Sequence, residues 1–301
     1  MPVDQSAYRK WDGTARPTRA AALAIAAVLV GRFYKLRLVR WLANVVAVGA
    51  CVLAPIFLYA KHMSERDRGL QMAMRQMGFD QINVLALVNR EFHTRASFFA
   101  VLICGVVAAQ LIAEDRRAKA LALYFSRPIR HIDYLCGKFL AGFFFVALLL
   151  LVPPVLMYLA EIGISDVEGA AGEQLPMLLR SLLAGAVLGG ALVTVALAVS
   201  ACTDRTNYAS LIFLGLMALS WILGVMLAEG IFKEPKWFAV SPVASAHRVV
   251  YDLFPDTGQL RRTALRVSRM EVALAWKSLG AWTAAGLLVL LAKVRRVEVV
   301  S

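Results

Sequence analysis

Charge is scarce in this chain. Asp, Glu, Lys and Arg make up 18% of its 301 residues, against about 25% in ordinary soluble domains. One soluble core cannot hide a chain that is 60% hydrophobic, because cores stop growing at roughly 250–300 residues. Disorder is excluded as well, since disordered chains are poor in apolar residues. Cysteine is also sparse. Cys51, Cys104, Cys136 and Cys202 form no CxxC pair and the histidines stand singly, so metal binding is not expected and the cysteines read as small hydrophobes. No G-x-x-x-x-G-K-[ST] loop is present: Gly137-Lys138 is followed by Phe139 and lacks the upstream glycine, which excludes that route to ATP. G-x-S-x-G and H-E-x-x-H are absent too. The mid-span polar residues Asn44, Thr194, Ser200 and Ser220 pair with no His or acid in the sequence pattern, which argues against a membrane-embedded hydrolase.

Long apolar runs dominate what remains. Crossing about 30 Å of hydrocarbon takes about 20 apolar residues, and residues 41–60, 96–113, 139–160, 177–201, 209–229 and 273–292 qualify. The expected fold is all-α: a polytopic membrane protein of six transmembrane helices over 41–292, preceded by a cytoplasmic segment, 1–40, and followed by a cytoplasmic tail, 293–301. Ala20–Gly31 reaches only about 18 Å as a helix, so it is expected to lie against the membrane or beside the bundle. It is not read as a secretory leader, because basic residues follow it. Arg180, Glu229, Lys277 and Lys293 fall near span ends, where long side chains reach the interface. With no ionisable group expected in mid-span, a pump that relays charge through buried carboxylates is disfavoured.

Lys/Arg density orients the spans. Glu161–Pro176 holds four acidic residues and no basic one and is placed outside; Glu114–Lys138 holds six Lys/Arg and is placed inside. The first 40 residues carry eight Lys/Arg, so both termini are expected in the cytoplasm. Gly230–Glu271, with seven Lys/Arg, runs against this bias. The formal net charge of +13 is therefore read as a cytoplasmic face toward lipid and partner, and no nucleic acid is expected.

The loop after the second span carries the most information. Ala118, Leu121, Ala122 and Phe125 share one helical face at i, i+3, i+4, i+7, with Arg116, Lys119 and Arg127 roughly opposite. Glu114 and Asp115 suit the helix dipole at its start, and Pro128 stops it. The spacing predicts a short amphipathic helix, continuous with span two from Glu114 to Phe125, that touches either anionic headgroups or a cytoplasmic partner. In span four, Ser181, Gly185 and Gly189 form a small-xxx-small row, which suits packing within the chain better than a subunit interface. Pro153-Pro154 is expected to kink span three.

The string from Glu114 to Leu140, E-D-R-R-x-K-A-L-x-L-Y-F-S-R-P-I-R-x-x-D-Y-L-x-G-K-F-L, closely resembles the loop between spans two and three in permease subunits of type-2 ABC exporters. The resemblance implies a coupling helix that docks on a separate ATP-binding subunit through Glu114, Asp115, Arg116, Arg117, Leu121, Tyr124, Phe125, Ser126, Arg127 and Pro128. It implies Tyr134, Gly137 and Lys138 as the entry to span three. It also implies two copies of the ATP-binding subunit, a second permease as a homodimer partner, and an accessory protein as a further candidate. ATP and Mg2+ would sit on the partner, so this chain would hold no cofactor and catalyse no reaction. Ala20–Gly31 would be the membrane-parallel elbow helix, and Phe238–Phe254 a re-entrant segment with Trp237 and Tyr251 as interfacial aromatics. The implied location is a bacterial-type plasma (inner) membrane, and the implied activity is export by alternating access. The rival reading is a non-transporting scaffold or sensor whose basic loop binds lipid or a partner. The substrate is unknown.

Overall fold

The computed structural model describes residues 18–37, 39–41, 84–120, 130–164, 170–254 and 266–295, with isolated positions between 44 and 72. All regular structure among them is helical: α1 (Thr18–Phe33), α2 (Val84–Ile103), α3 (Ala109–Arg117), α4 (His131–Leu150), α5 (Val152–Ile164), α6 (Ala170–Cys202), α7 (Thr206–Val225), α8 (Pro242–Leu253) and α9 (Val272–Arg295). Five helical segments are long and apolar enough to cross a membrane: Ala86–Arg117, His131–Gly163, Gln174–Cys202, Thr206–Ile231 and Val272–Val294. Most of the first predicted span, 41–60, lies outside the described residues.

Short connections make successive segments antiparallel. One end of the bundle, the near end, gathers the close of α3, the start of α4, the close of α6 and the start of α7. The far end gathers the start of α2, the close of α5 and α8. Helix association in lipid relies on van der Waals contact, which small residues allow by letting backbones approach. The buried faces accordingly run through Ala96, Ala100, Ala108, Ala109 and Ala113 toward Ala141, Val193 and Ala196. In α6, a Cβ on Gly185 would lie 2.7 Å from Leu151 and 3.0 Å from the Leu150 carbonyl, and one on Gly189 would lie 2.9 Å from Val146. The row of small residues thus faces span three of the same chain, while Ser181 turns toward α2.

Three segments differ from the sequence expectation. The helix of span two starts about ten residues before Ala96 and runs 32 residues to Arg117, about 48 Å at 1.5 Å per residue, so it projects beyond the hydrocarbon. Hydropathy locates the apolar stretch, whereas the polar turns before it are held by tertiary contacts. Span two is also not one regular α-helix. A π turn at Cys104–Ala108 separates α2 from α3, and two serines bond backbone groups in the turn and just after it. Ser210 Oγ donates to the Gly105 carbonyl (2.7 Å), and Ser200 Oγ accepts from the Ile112 and Ala113 N–H groups (both 2.9 Å). Span three starts at His131 and breaks at Leu151, just before Pro153-Pro154.

The 238–254 region forms a 3-10 turn, Pro235–Val240, and then α8. Pro242 at N1 and Ser241, whose Oγ accepts from Ala244 N, start α8. Its Ala244, Ser245, His247, Val249 and Val250 are buried against α2, α6, α7 and α9. It does not span the bundle; it closes the far end. Residues 255–265 lie outside the described residues.

Candidate functional site

At the near end, the last turn of α3 ties three other helices together. Asp115 is the centre: Lys138 Nζ lies 2.6 Å from Oδ2, and Tyr134 Oη donates to the same oxygen at 2.7 Å. Tyr134 and Lys138 are spaced i, i+4, so they present one face of α4, and the ammonium also sits 5.4 Å from the Tyr134 ring centroid. Lys138 is completely buried and spends a further proton on the Leu111 carbonyl at 2.9 Å. An ammonium in such a place persists only with its partners in place.

The neighbouring side chains extend the tie. Glu114 Oε1 pairs with Arg32 Nη2 of α1 at 2.5 Å, and Arg116 Nη1 donates to the Ala201 carbonyl at the end of α6, 2.7 Å away. Gly137 admits α1: a Cβ there would lie 2.9 Å from both the Ala22 carbonyl oxygen and the Ile25 Cβ. Ala22, Ala26, Leu29 and Phe33 form the buried stripe of α1, spaced four, three and four residues apart, and α1 packs more extensively on α4 than on any other element.

The structure brings Glu114, Asp115, Arg116, Tyr134, Gly137 and Lys138 into one cluster. Arg117 is exposed beside it. Leu121, Tyr124, Phe125, Ser126, Arg127 and Pro128 lie outside the described residues. The single helix expected from Glu114 to Phe125 is not present. α3 ends at Arg117, Ala118 and Lys119 form a turn, and Lys119 has φ 52°, a left-handed conformation that ends the helix. Ser181, Gly185 and Gly189 lie elsewhere, in the helix contacts described above.

A second polar cluster, at the far end, is absent from the sequence expectation. Asn89, His93 and Ser97 repeat every four residues along α2 and are all buried. Ser181 Oγ donates to Asn89 Oδ1 (2.8 Å) and meets His93 Nε2 at 2.9 Å. The hydroxyl has one proton, so Nε2–H of His93 is the donor to Ser181. Ser97 Oγ likewise donates to the Thr94 carbonyl (2.6 Å) and accepts from His247 Nε2 at 2.7 Å. The same helix holds Arg90, 2% exposed, with its guanidinium 5.2 Å from the Tyr251 ring. Burial lowers the His247 imidazole to about 4, so it docks uncharged. The polar period of Asn89, His93 and Ser97 is visible in the sequence, but it lies across the boundary of the apolar window. Among the described residues, no group of three or more His, Cys, Asp or Glu could hold a metal.

The model of the ABC-2 family transporter proteins matches residues 34–292. The chain belongs to the ABC-2 family. It is therefore a membrane-transport permease, a multi-pass integral membrane protein with several helices able to cross a membrane. The match to this ABC-2 transporter begins one residue after α1 ends. α1 is nonetheless joined to the matched region through Arg32 and Gly137. A comparison with curated proteins finds no match.

Proposed function

We propose that this ABC-2 permease works as the membrane half of an ATP-driven exporter in a bacterial-type inner membrane. It would have six spans with both termini in the cytoplasm, a second copy of itself across the pathway, and two ATP-binding subunits docked at the 114–128 connection. ATP and Mg2+ belong to those partners. The near-end cluster supports this reading. Motion delivered to the 114–128 connection reaches Asp115 first, and Asp115 is joined to span three through Lys138 and Tyr134. Arg116 passes it to span four and Glu114 to α1. A loop merely tethered between spans would dissipate such motion; one welded to three helices moves them as a block.

Co-purification tests the docking assignment. A cassette ATPase co-expressed with the full chain is expected to be captured, and capture should be lost when Leu121 and Phe125 are both changed to Glu. Unchanged capture by that double variant, with the permease still folded, overturns it.

A further inference from the structure

We infer that the near end holds a site for the phosphodiester of an anionic phospholipid, in the cleft between α1, α3 and the start of α7. The inference rests on the reading of α1 as a helix that lies against the membrane, and on no property of the ATPase partner. The cleft has a volume of about 420 Å³, within the roughly 300–1,000 Å³ of small-molecule sites. Its lining is divided by chemistry. Arg32 and Arg117 supply guanidiniums, Gln110 and Thr206 supply neutral hydrogen-bonding groups, and Phe33 and Leu36 supply an apolar wall.

The charge balance favours a monoanion. Arg32 is paired with Glu114, also in the lining, whereas Arg117 has no ion-pair or hydrogen-bond partner among the described residues. Two cations and one carboxylate leave one positive charge, which a phosphodiester neutralises. A guanidinium has five donors in a planar fork suited to phosphate oxygens, so Arg32 keeps donors beyond those used on Glu114.

The level of the cleft favours a lipid over a soluble phosphate. α1 buries one stripe on α4 and leaves Leu23 63% and Val28 72% exposed, an apolar face suited to acyl chains. The cleft opens at the end of that same helix, beside Phe33 and Leu36. A phosphate held there would have its glycerol and chains beside apolar surface.

The test is native mass spectrometry of the full chain, released from nanodiscs of phosphatidylglycerol or of phosphatidylcholine. One phosphatidylglycerol per chain is expected to stay bound, and phosphatidylcholine is not. Arg117→Gln should lower occupancy about tenfold, the cost of a charge-assisted hydrogen bond, and Arg117→Lys should retain part of it. Arg117 is exposed, so the variants should melt like the parent. Equal retention by Arg117→Gln and the parent, or equal retention of the two lipids, overturns the site. Displacement of the lipid by millimolar inorganic phosphate assigns the cleft to a free anion and also overturns it. Loss of ATPase capture in Arg117→Gln with lipid retention unchanged gives the cleft to the partner protein. Loss of capture in the Leu121/Phe125 double variant with lipid retention intact leaves the lipid site standing and refutes only the docking assignment.

Discussion

Lys138 sits where an ammonium is costly, and Asp115 makes it tolerable. Removing one member of a buried pair leaves the other uncompensated, at about 3–5 kcal/mol. Lys138→Met is therefore expected to lower the melting temperature of the purified permease severely. Adding Asp115→Asn to Lys138→Met should recover much of that loss, because no charge is then stranded; a double variant as unstable as the single one contradicts the pairing. His247 offers a pH test. Its imidazole titrates near 4 when docked and near 6.5 when free. Above about 6.5 both states are neutral and stability is flat. As pH falls from 6.5 toward 4, the undocked state binds a proton that the docked state refuses, so stability declines. Thermal melts across this window should show the decline in the parent and a smaller one in His247→Gln.

At the scale of elements, close approach sets the architecture. Gly137→Ala places a methyl 2.9 Å from the Ala22 carbonyl, and overpacking of this kind costs about 1–3 kcal/mol. The expected result is a lower melting temperature and freer proteolysis of α1. Gly215→Ala, where nothing lies within 4 Å of the added methyl, serves as the control and should leave both unchanged. The glycines of the 185–189 row were legible from their spacing, and their direction toward span three was not. Spacing defines a face of a helix; it does not say which neighbour occupies that face. The break at Leu151 was legible for a firmer reason, since Pro153-Pro154 removes backbone donors wherever it sits. The turn at Lys119 was not, because no glycine or proline marks it and only the φ of 52° reveals it.

At the scale of the whole molecule, charge bears on topology. In the proposed arrangement, Gly230–Glu271 lies outside despite its seven Lys/Arg. α8 and the turn before it pack at the same end of the bundle as the close of α5, the end that leads into the acidic Glu161–Pro176 stretch. Part of the basic excess is used there in packing: Arg248 Nε donates to the Met270 carbonyl at 2.6 Å. Cationic side chains used in folding report less on membrane sidedness than loop charges free to meet lipid. A reporter fused near Gly258 should read as extracytoplasmic; a cytoplasmic signal would sink the six-span arrangement.

Sequence alone determined the class and the apolar stretches, and it singled out Glu114, Asp115, Arg116, Tyr134, Gly137 and Lys138 without saying that they meet. Apolar length against bilayer thickness is a one-dimensional constraint, and a dense motif such as Glu114–Lys138 keeps its residues close along the chain. Tertiary structure alone decided that Arg32 of α1 meets Glu114, that Lys138 lies buried on Asp115, and that His93 and His247 join α2, α6 and α8 into a polar far end. These pairings link residues far apart in sequence, and their partners are fixed only when the helices pack. The scarcity of charge announced a membrane protein; the folded bundle decided where its few buried charges and polar groups pair.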